Sequence, residues 1–309
     1  MSGWSTEFAL VGAGGERVDL WRTIMSHGVV ELPPMRIDEN RRVLEATLAT
    51  AVGPRTVEIS AGRSGYAQLL ARGPEPTSSQ VAELLAAVRH VLRLDEDLSE
   101  FYALAAADPE LAWAAEGAGR MVRSQTVFEE VVKTICTTNC AWSATVRMVG
   151  ALAEHLGEPA PDAPPAGPLG RAFPTPAAMA EASEAFYSDV VRAGYRGAYL
   201  RSLAASVAEG ALDLEQLASP DLDDAEVAER LLALPGVGPY AAAHIMMLLG
   251  RYSRLILDSW TRPKYARVNG RKASDKTIER RFRRYKRYAG LAFWLYLTRD
   301  WVEEAQPVA

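Results

Sequence analysis

The spacing of apolar positions along the chain changes near residue 76. Before that point, short apolar runs alternate with glycine- and proline-rich turns, a pattern that predicts a small antiparallel sheet. The predicted strands are residues 8–11, 29–32, 56–59 and 66–70. After residue 76, apolar residues recur every three and four positions, so the chain is expected to be helical nearly to its end.

Three features organise the helical part. A Thr or Ser within residues 77–79 is expected to cap a first helix, whose apolar face runs over 81–92. A second helical pattern covers 128–149, and short polar residues before Asn139 interrupt its apolar face, which indicates a break. Residues 157–170 hold five prolines and three glycines, which excludes regular structure and indicates a surface linker.

The pattern as a whole predicts an α+β protein that is mainly α. An N-terminal domain with an antiparallel sheet, residues 1–76, is expected to precede a helical region, residues 77–309. Within the helical region, residues 226–249 are expected to form a helix, a tight hairpin and a second helix. No internal repeat of fixed period interrupts this organisation.

The hairpin segment is the most informative stretch of the chain. Its centre is Leu234, Pro235, Gly236, Val237 and Gly238, a hydrophobic-x-Gly-hydrophobic-Gly pattern. The glycines allow a tight turn and leave backbone N–H groups uncovered at a helix N-terminus, where they can bind a phosphate oxygen. A plain turn between two helices has the same pattern, so both interpretations stay open.

Asp258 is the second informative position, because it follows three large apolar residues. A buried carboxylate must be paired or protonated, so an acid at this place indicates a functional group. A helix that starts at Ser259 would explain the same residue as an N-cap.

Composition restricts the function further. The 309 residues have a net charge of −5 and 49% hydrophobic residues, which is typical of a soluble globular chain. No run of about 18 apolar residues could span a bilayer, so we expect a cytoplasmic protein with no membrane partner. Cys136 and Cys140 are too few for a four-thiolate zinc or iron–sulfur site, and we expect two free thiols on one helix face.

The acidic average hides a basic segment. Residues 251–287 contain 14 Lys and Arg against 3 Asp and Glu, a net of +11, which leaves −16 for the rest of the chain. The average charge argues against a nucleic-acid partner, whereas the local charge permits one oriented binding face. A plain solvated surface is the other explanation for such a run.

Taken in order, these motifs resemble the helix-hairpin-helix/Gly-Pro-Asp superfamily of DNA glycosylases, the enzymes of base-excision repair. The 8-oxoguanine DNA glycosylase and 3-methyladenine DNA glycosylase II branches are the most similar. The likeness extends over essentially the whole chain, and its segments are the hairpin 234–240 with Asp258, 26–28, 128–149 with Asn139, 173–176, 194–199 and 288–292.

The resemblance implies a helical region of two lobes that acts as a monomer on double-stranded DNA containing a damaged base. It implies no metal and no iron–sulfur cofactor, and it leaves open a monovalent cation at the hairpin, which some relatives hold. In a bacterium the protein would be associated with the nucleoid.

Site roles follow from the resemblance. Asp258 would stabilise the oxocarbenium-like sugar and help position water for attack at C1′, while the hairpin 234–238 binds the DNA backbone. Asn139 would enter the gap left by the flipped nucleotide, Tyr195 would wedge into the base stack, and Arg196 would hold the orphaned partner base.

Two departures from the family pattern shape the expected chemistry. Tyr240 stands where bifunctional relatives have the catalytic lysine, which implies hydrolysis that stops at the abasic site, with Lys264 as an alternative amine. The base pocket would map onto Gly28, His244, Trp260, Phe293 and Leu297.

That pocket is more aromatic than the 8-oxoguanine branch uses, which favours an alkylated purine, with oxidised guanine second. His244 has an equal explanation as a core histidine, and some of the consecutive residues 293–296 must be core. A protein that binds damaged or distorted DNA without catalysis is the alternative from another class.

Overall fold

The computed structural model describes residues 3–302. Its N-terminal part is one five-stranded antiparallel sheet in the spatial order β1-β5-β4-β3-β2, in which β1 and β2 are the edges. The strands are β1 (Gly3–Ala9), β2 (Met35–Asp38), β3 (Val43–Leu48), β4 (Arg55–Ala61) and β5 (Tyr66–Arg72).

The predicted sheet is confirmed, but not every predicted strand is. Residues 56–59 and 66–70 fall in β4 and β5, whereas the strand predicted at 29–32 is wrong because Gly28–Glu31 forms a 3₁₀ helix. The pattern misses β3 because all six of its residues are buried, including Glu45, so no apolar alternation marks it. Its pairing with β2 and β4 becomes evident only in the folded sheet.

Twelve α-helices follow or interrupt the sheet within the described residues. They are α1 (Leu20–Ile24), α2 (Ser78–Val91), α3 (Ser99–Ala106), α4 (Val127–Thr137), α5 (Trp142–Leu156), α6 (Pro176–Glu181), α7 (Arg196–Ala208), α8 (Asp224–Leu232), α9 (Pro239–Leu248), α10 (Thr261–Val268), α11 (Asp275–Phe282) and α12 (Ala289–Thr298). None of the helices described is long and apolar enough to cross a membrane.

Several sequence expectations hold at the level of single elements. Thr77 caps α2 through a capping box with Gln80, which explains why the helix begins at Ser78. The expected break near Asn139 separates α4 from α5, and residues 157–170 form no helix or strand. The two cysteines are free, but Cys140 lies beyond the end of α4, so the prediction of one shared helix face is wrong.

Two helical cores meet at α9. Ala241, Ile245 and Met246 pack into a core with α4, α5, α7 and α8, while Ala243 and Met247 pack into a second core with α3, α10, α11 and α12. A helix that contacts protein on both sides is expected to be apolar around its whole circumference. This explains the sequence of α9 and places its N-terminus between the two lobes. The sheet forms a third core with α2.

Candidate DNA-binding and base-excision site

The predicted hairpin joins α8 to α9 and presents the N-terminus of α9. Gly236 has a φ of +85°, and a Cβ there would lie 2.9 Å from the ring of Tyr199, so both conformation and space require glycine. The backbone N–H groups of Gly238, Tyr240 and Ala241 donate to no acceptor among residues 3–302. Such a helix start attracts an anion.

Asp258 lies in the turn before α10 and is both a cap and an open carboxylate. Its Oδ1 accepts the backbone N–H groups of Trp260 at 2.8 Å and Thr261 at 2.6 Å. Its own N–H donates to the Thr261 hydroxyl at 2.8 Å, which closes the turn. Oδ2 accepts no hydrogen bond from any residue of the described chain. The cap therefore fixes the carboxylate while leaving one oxygen for chemistry.

Tyr240 and His244, one turn apart on α9, lie close to Asp258. The Tyr240 hydroxyl lies 3.3 Å from the Thr137 hydroxyl, so it ties α9 to the end of α4. Burial raises the pKa of Tyr240, and the Asp258 carboxylate adds to that rise. Burial lowers the pKa of His244 to about 4, although Asp258 acts in the opposite direction. His244 is therefore neutral near pH 7.

The structure places Asn139 and Tyr195 side by side on the surface, with the buried Arg196 guanidinium against the Tyr195 ring. Asn139 has a φ of +48° in the loop between α4 and α5, and its amide nitrogen lies 3.4 Å from the Tyr195 hydroxyl. The Tyr195 side chain is 54% exposed, and its ring contacts the Arg196 guanidinium and the Tyr199 ring. An exposed aromatic beside an exposed amide suits insertion into a base stack.

Arg196 is placed differently from Asn139 and Tyr195. It is buried at the start of α7, where its guanidinium donates to the carbonyls of Thr138 and Ala193. These bonds hold the loop that carries Asn139. Arg196 thus positions the loop, and its predicted contact with the partner base stays a prediction.

The aromatic wall beside Asp258 is built from residues that the sequence only partly indicated. The rings of Trp260, Trp294 and Trp301 have centroids 5.6 to 5.7 Å apart, and the Trp294 indole donates to the Ser26 carbonyl at 2.8 Å. Trp260 keeps 37% of its surface exposed. This cluster supplies the aromatic surface near the start of α10.

Two predicted pocket residues lie elsewhere. Phe293 is fully buried between the rings of Tyr265 and Phe282, and Leu297 is buried in the same core. Consecutive helical residues point about 100° apart, and on α12 it is Trp294, next to Phe293, that contacts Trp260. Only the tertiary contacts of α12 distinguish these positions.

Gly28 begins a short 3₁₀ helix next to His27 and lies against Trp142, a third tryptophan that the sequence did not indicate. The ring atoms of Trp142 lie 3.9 Å from the place where a Gly28 Cβ would be. Trp142 is 43% exposed and begins α5, just after the Asn139 loop. Trp142 thus packs next to His27, whose ring centroid lies 6.3 Å from that of His244.

Solved structures share the fold over nearly the whole chain. MBOgg1, solved with a low-affinity DNA ligand, has a TM-score of 0.73 at 18% identity and 97% coverage of both chains. The 8-oxoguanine glycosylase/lyase of Clostridium acetobutylicum has a TM-score of 0.70 at 21% identity and 96% coverage of both. The 3-methyladenine DNA glycosylase of Archaeoglobus fulgidus has a TM-score of 0.68 at 19% identity, covering 97% of this chain and all of its own.

The chain has the fold of these DNA glycosylases. The fold expected from the sequence is thereby confirmed. No family model matches the chain, and no curated protein matches its sequence. The glycosylase fold is therefore evident in the three-dimensional structure and not in overall sequence similarity.

Lys264, the alternative amine, forms an ion pair with Asp300. Its ammonium group contacts both carboxylate oxygens of Asp300, at 2.6 and 2.8 Å, and its side chain is largely buried. A Schiff base requires a neutral amine with a free lone pair. An ammonium held by a carboxylate is not that group.

The basic segment 251–287 divides into paired and unpaired residues. Six of its cations form ion pairs with carboxylates in the described chain: Arg251, Arg262, Lys264, Arg281, Arg284 and Arg287. Eight form none there: Arg254, Arg267, Arg271, Lys272, Lys276, Arg280, Arg283 and Lys286. Arg254, Arg283 and Lys286 border a groove of about 520 Å³ that Pro239 and Tyr240 also line. The unpaired cations thus reach the N-terminus of α9.

Proposed function

We propose that this protein is a monofunctional DNA glycosylase that hydrolyses the N-glycosidic bond of a flipped, damaged base. The observation that carries the proposal is the carboxylate of Asp258, fixed through Oδ1 and unpartnered at Oδ2, between the hairpin and the tryptophan wall. The same fold in DNA glycosylases supports it.

Asp258 would act on the sugar during bond cleavage. As the base leaves, positive charge develops on the ring oxygen and C1′, and a fixed carboxylate stabilises that charge without having to reorient. Water then attacks C1′, and Oδ2 is the oxygen free to orient it. A cationic alkylated base departs with the bonding electron pair as a neutral molecule, whereas an uncharged base such as 8-oxoguanine also takes up a proton. The attacking water gives its own proton to the Asp258 carboxylate or to solvent.

The surrounding surfaces would hold the DNA. The free N–H groups at the start of α9 would bind a backbone phosphate, and the unpaired cations along the adjoining groove would bind others. Tyr195 and Asn139 would fill the space left by the flipped nucleotide, which offsets part of the unstacking cost.

The lysines of the chain favour hydrolysis by water over attack by an amine. It has five lysines: Lys133 and Lys264 are held by the carboxylates of Glu129 and Asp300, and Lys272, Lys276 and Lys286 lie in the basic segment. Tyr240 stands at the position of the lysine in bifunctional relatives. Water is then the nucleophile, and the product is an abasic site.

For the damaged base, we propose an alkylated purine first and an oxidised guanine second. The tryptophan wall offers π-faces, on which cationic alkylated bases stack favourably. Such bases are also good leaving groups that need little acid assistance.

The direct test replaces Asp258 with Asn. Asn keeps an oxygen that can accept the two N–H bonds of the cap, so folding and binding to an abasic-analogue duplex should persist. Excision of bases from methylated and oxidised genomic DNA, measured by mass spectrometry, should fall by roughly 100-fold or more. Asp95→Asn, which replaces an exposed carboxylate paired with Arg89 away from the groove, is the matched control. Equal excision by the two variants would refute the assignment.

A lyase that uses Lys286 is the second candidate, because Lys286 and Tyr240 line the same groove. Borohydride reduction during the reaction should trap no covalent adduct with DNA if the proposal is right. An adduct that forms with the original chain and disappears in Lys286→Ala would establish the lyase. Binding of duplex DNA without release of any base would instead favour a non-catalytic binder.

A further inference from the structure

Two buried histidines near Asp258 have ring nitrogens that nothing in the described chain satisfies. His27 is 4% exposed and His244 is 6% exposed, with ring centroids 6.3 Å apart and rings nearly perpendicular. Nδ1 of His27 and Nε2 of His244 have no hydrogen-bond partner among residues 3–302. Leaving a buried polar atom unpaired is unfavourable, so such atoms indicate a place for a ligand or a water.

The hydrogen-bonding state of His27 is fixed by its surroundings. Its Nε2 lies 2.7 Å from the Val122 carbonyl oxygen, which can only accept, so Nε2 carries the proton. Burial lowers the pKa of His27 to about 3, and the charges of His244 and Lys133 act in the same direction. A neutral ring protonated at Nε2 has a bare lone pair on Nδ1. His27 therefore offers an acceptor that requires a donor.

His244 supplies the complementary group. Its ring is neutral near pH 7, and its unpartnered Nε2 is a donor in the tautomer that carries the proton on that nitrogen. Neighbouring polar groups are already engaged: the Tyr240 hydroxyl contacts Thr137, and the Lys133 ammonium lies 2.6 Å from Glu129. The donor and the acceptor are thus left for something that enters the site.

We propose that His27 Nδ1 and His244 Nε2 together bind the edge of the flipped base and select bases with an N–H beside a C=O. The acceptor takes the N–H and the donor takes the carbonyl, each at about 2.9 Å. The guanine-derived lesions 7-methylguanine and 8-oxoguanine have such an edge, whereas 3-methyladenine lacks it. This inference rests on the proposed glycosylase function and narrows its substrate class.

Methylated DNA provides an internal test, because dimethyl sulfate produces 7-methylguanine and 3-methyladenine in the same DNA. Mass spectrometry of the released bases should show that the protein favours 7-methylguanine relative to its content. His27→Gln keeps a donor for the Val122 carbonyl but removes the Nδ1 acceptor, and should reduce the preference by roughly five- to tenfold. Preferential release of 3-methyladenine, or an unchanged ratio in His27→Gln, would overturn the inference.

A matched variant controls for general effects of replacing a histidine. His155 lies on α5 against Phe186, away from the pair, so His155→Gln should leave the ratio unchanged. Thermal unfolding of both variants shows whether each retains its fold.

A second measurement needs no change at His27. The Asp258→Asn protein, labelled with ¹⁵N-histidine, is titrated with a duplex containing one 8-oxoguanine and with the same duplex containing a tetrahydrofuran abasic analogue. The His27 Nδ1 resonance should move with the first duplex and stay with the second. Binding of both without movement would overturn this inference and leave the glycosylase function standing. If the protein bound neither duplex and the original chain released no base, both this inference and the proposed glycosylase function would be refuted.

Discussion

Residues 280–287 carry two sets of cations that differ in whether a carboxylate of the protein pairs with them. Arg281, Arg284 and Arg287 contact the carboxylates of Glu110, Asp108 and Glu100, which lie in or after α3. Arg280, Arg283 and Lys286 alternate with them along α11 and the turn after it, and form no ion pair within residues 3–302. The first set joins parts of the protein, and the second set is exposed and available to a phosphate.

The same distinction applies to the polar groups of the site. Asp258 has one carboxylate oxygen satisfied by backbone donors and one left open, and His27 has one satisfied nitrogen and one open. Arg196 looks like a DNA contact in the sequence but is fully used by carbonyls. Binding capacity therefore depends on which groups remain unsatisfied after folding, and not on the number of charged residues.

The largest expected effect concerns buried groups that the fold keeps neutral. Burial lowers the pKa of His27 to about 3 and those of His90 and His244 to about 4, and raises that of Glu130 to about 7. As the pH falls below about 6.5, the unfolded chain protonates its histidines while the folded chain does not, so stability is lost. Glu130 acts in the opposite direction, because the folded chain binds its proton at a higher pH.

Between pH 6.5 and 4.5, the three histidines outweigh Glu130, Glu215 and Glu31, whose pKa values burial raises, and the difference is about one to two protons. The free energy of unfolding should therefore fall by roughly 1–2 kcal/mol per pH unit. Urea unfolding at several pH values measures this slope. If the free energy of unfolding did not change with pH, these groups would be solvated in the folded protein. The contrast between satisfied and unsatisfied polar groups would then not apply to the protein interior.

The next largest effect concerns the cations of residues 280–287 without a carboxylate partner in the described chain, Arg280, Arg283 and Lys286. Arg283→Ala combined with Lys286→Ala should weaken binding to duplex DNA by roughly 10- to 100-fold, with little change in the unfolding temperature. It should also reduce the slope of log affinity against log salt by about 2, because two phosphate contacts are lost. Fluorescence anisotropy at several salt concentrations measures both quantities. Unchanged affinity would place the DNA elsewhere.

Arg196 should affect stability more than recognition. Arg196→Met leaves the carbonyls of Thr138 and Ala193 without their donor, which should cost roughly 1–3 kcal/mol. Preference among the four opposite bases, measured as relative excision rates, should not change. A lost preference without lost stability would support the role predicted from the sequence.

The sequence revealed local features and missed those created by distant contacts. The hairpin and the cap of α2 depend on adjacent residues, so their patterns were readable. Trp294 was missed because the choice between it and Phe293 depends on how α12 rotates against its neighbours. The ion pairs of Arg281 and Arg287 were invisible because their partners lie 171 and 187 residues away.

The smallest effect is expected for the cations that are paired with carboxylates. Their replacement is the control for the double variant of Arg283 and Lys286. Arg284→Ala and Arg287→Ala together remove three ion pairs, those of Arg284 with Asp108 and Glu110 and that of Arg287 with Glu100. Both arginine side chains are exposed, and pairs formed by exposed arginines contribute about 0–1 kcal/mol each. Duplex affinity should stay within about twofold of the original chain, although this variant loses the same formal charge as the Arg283 and Lys286 pair. An equal loss of affinity in both double variants would show that net charge governs binding. A difference between them shows that the carboxylates of Asp108 and Glu100 have already taken these cations out of reach of DNA.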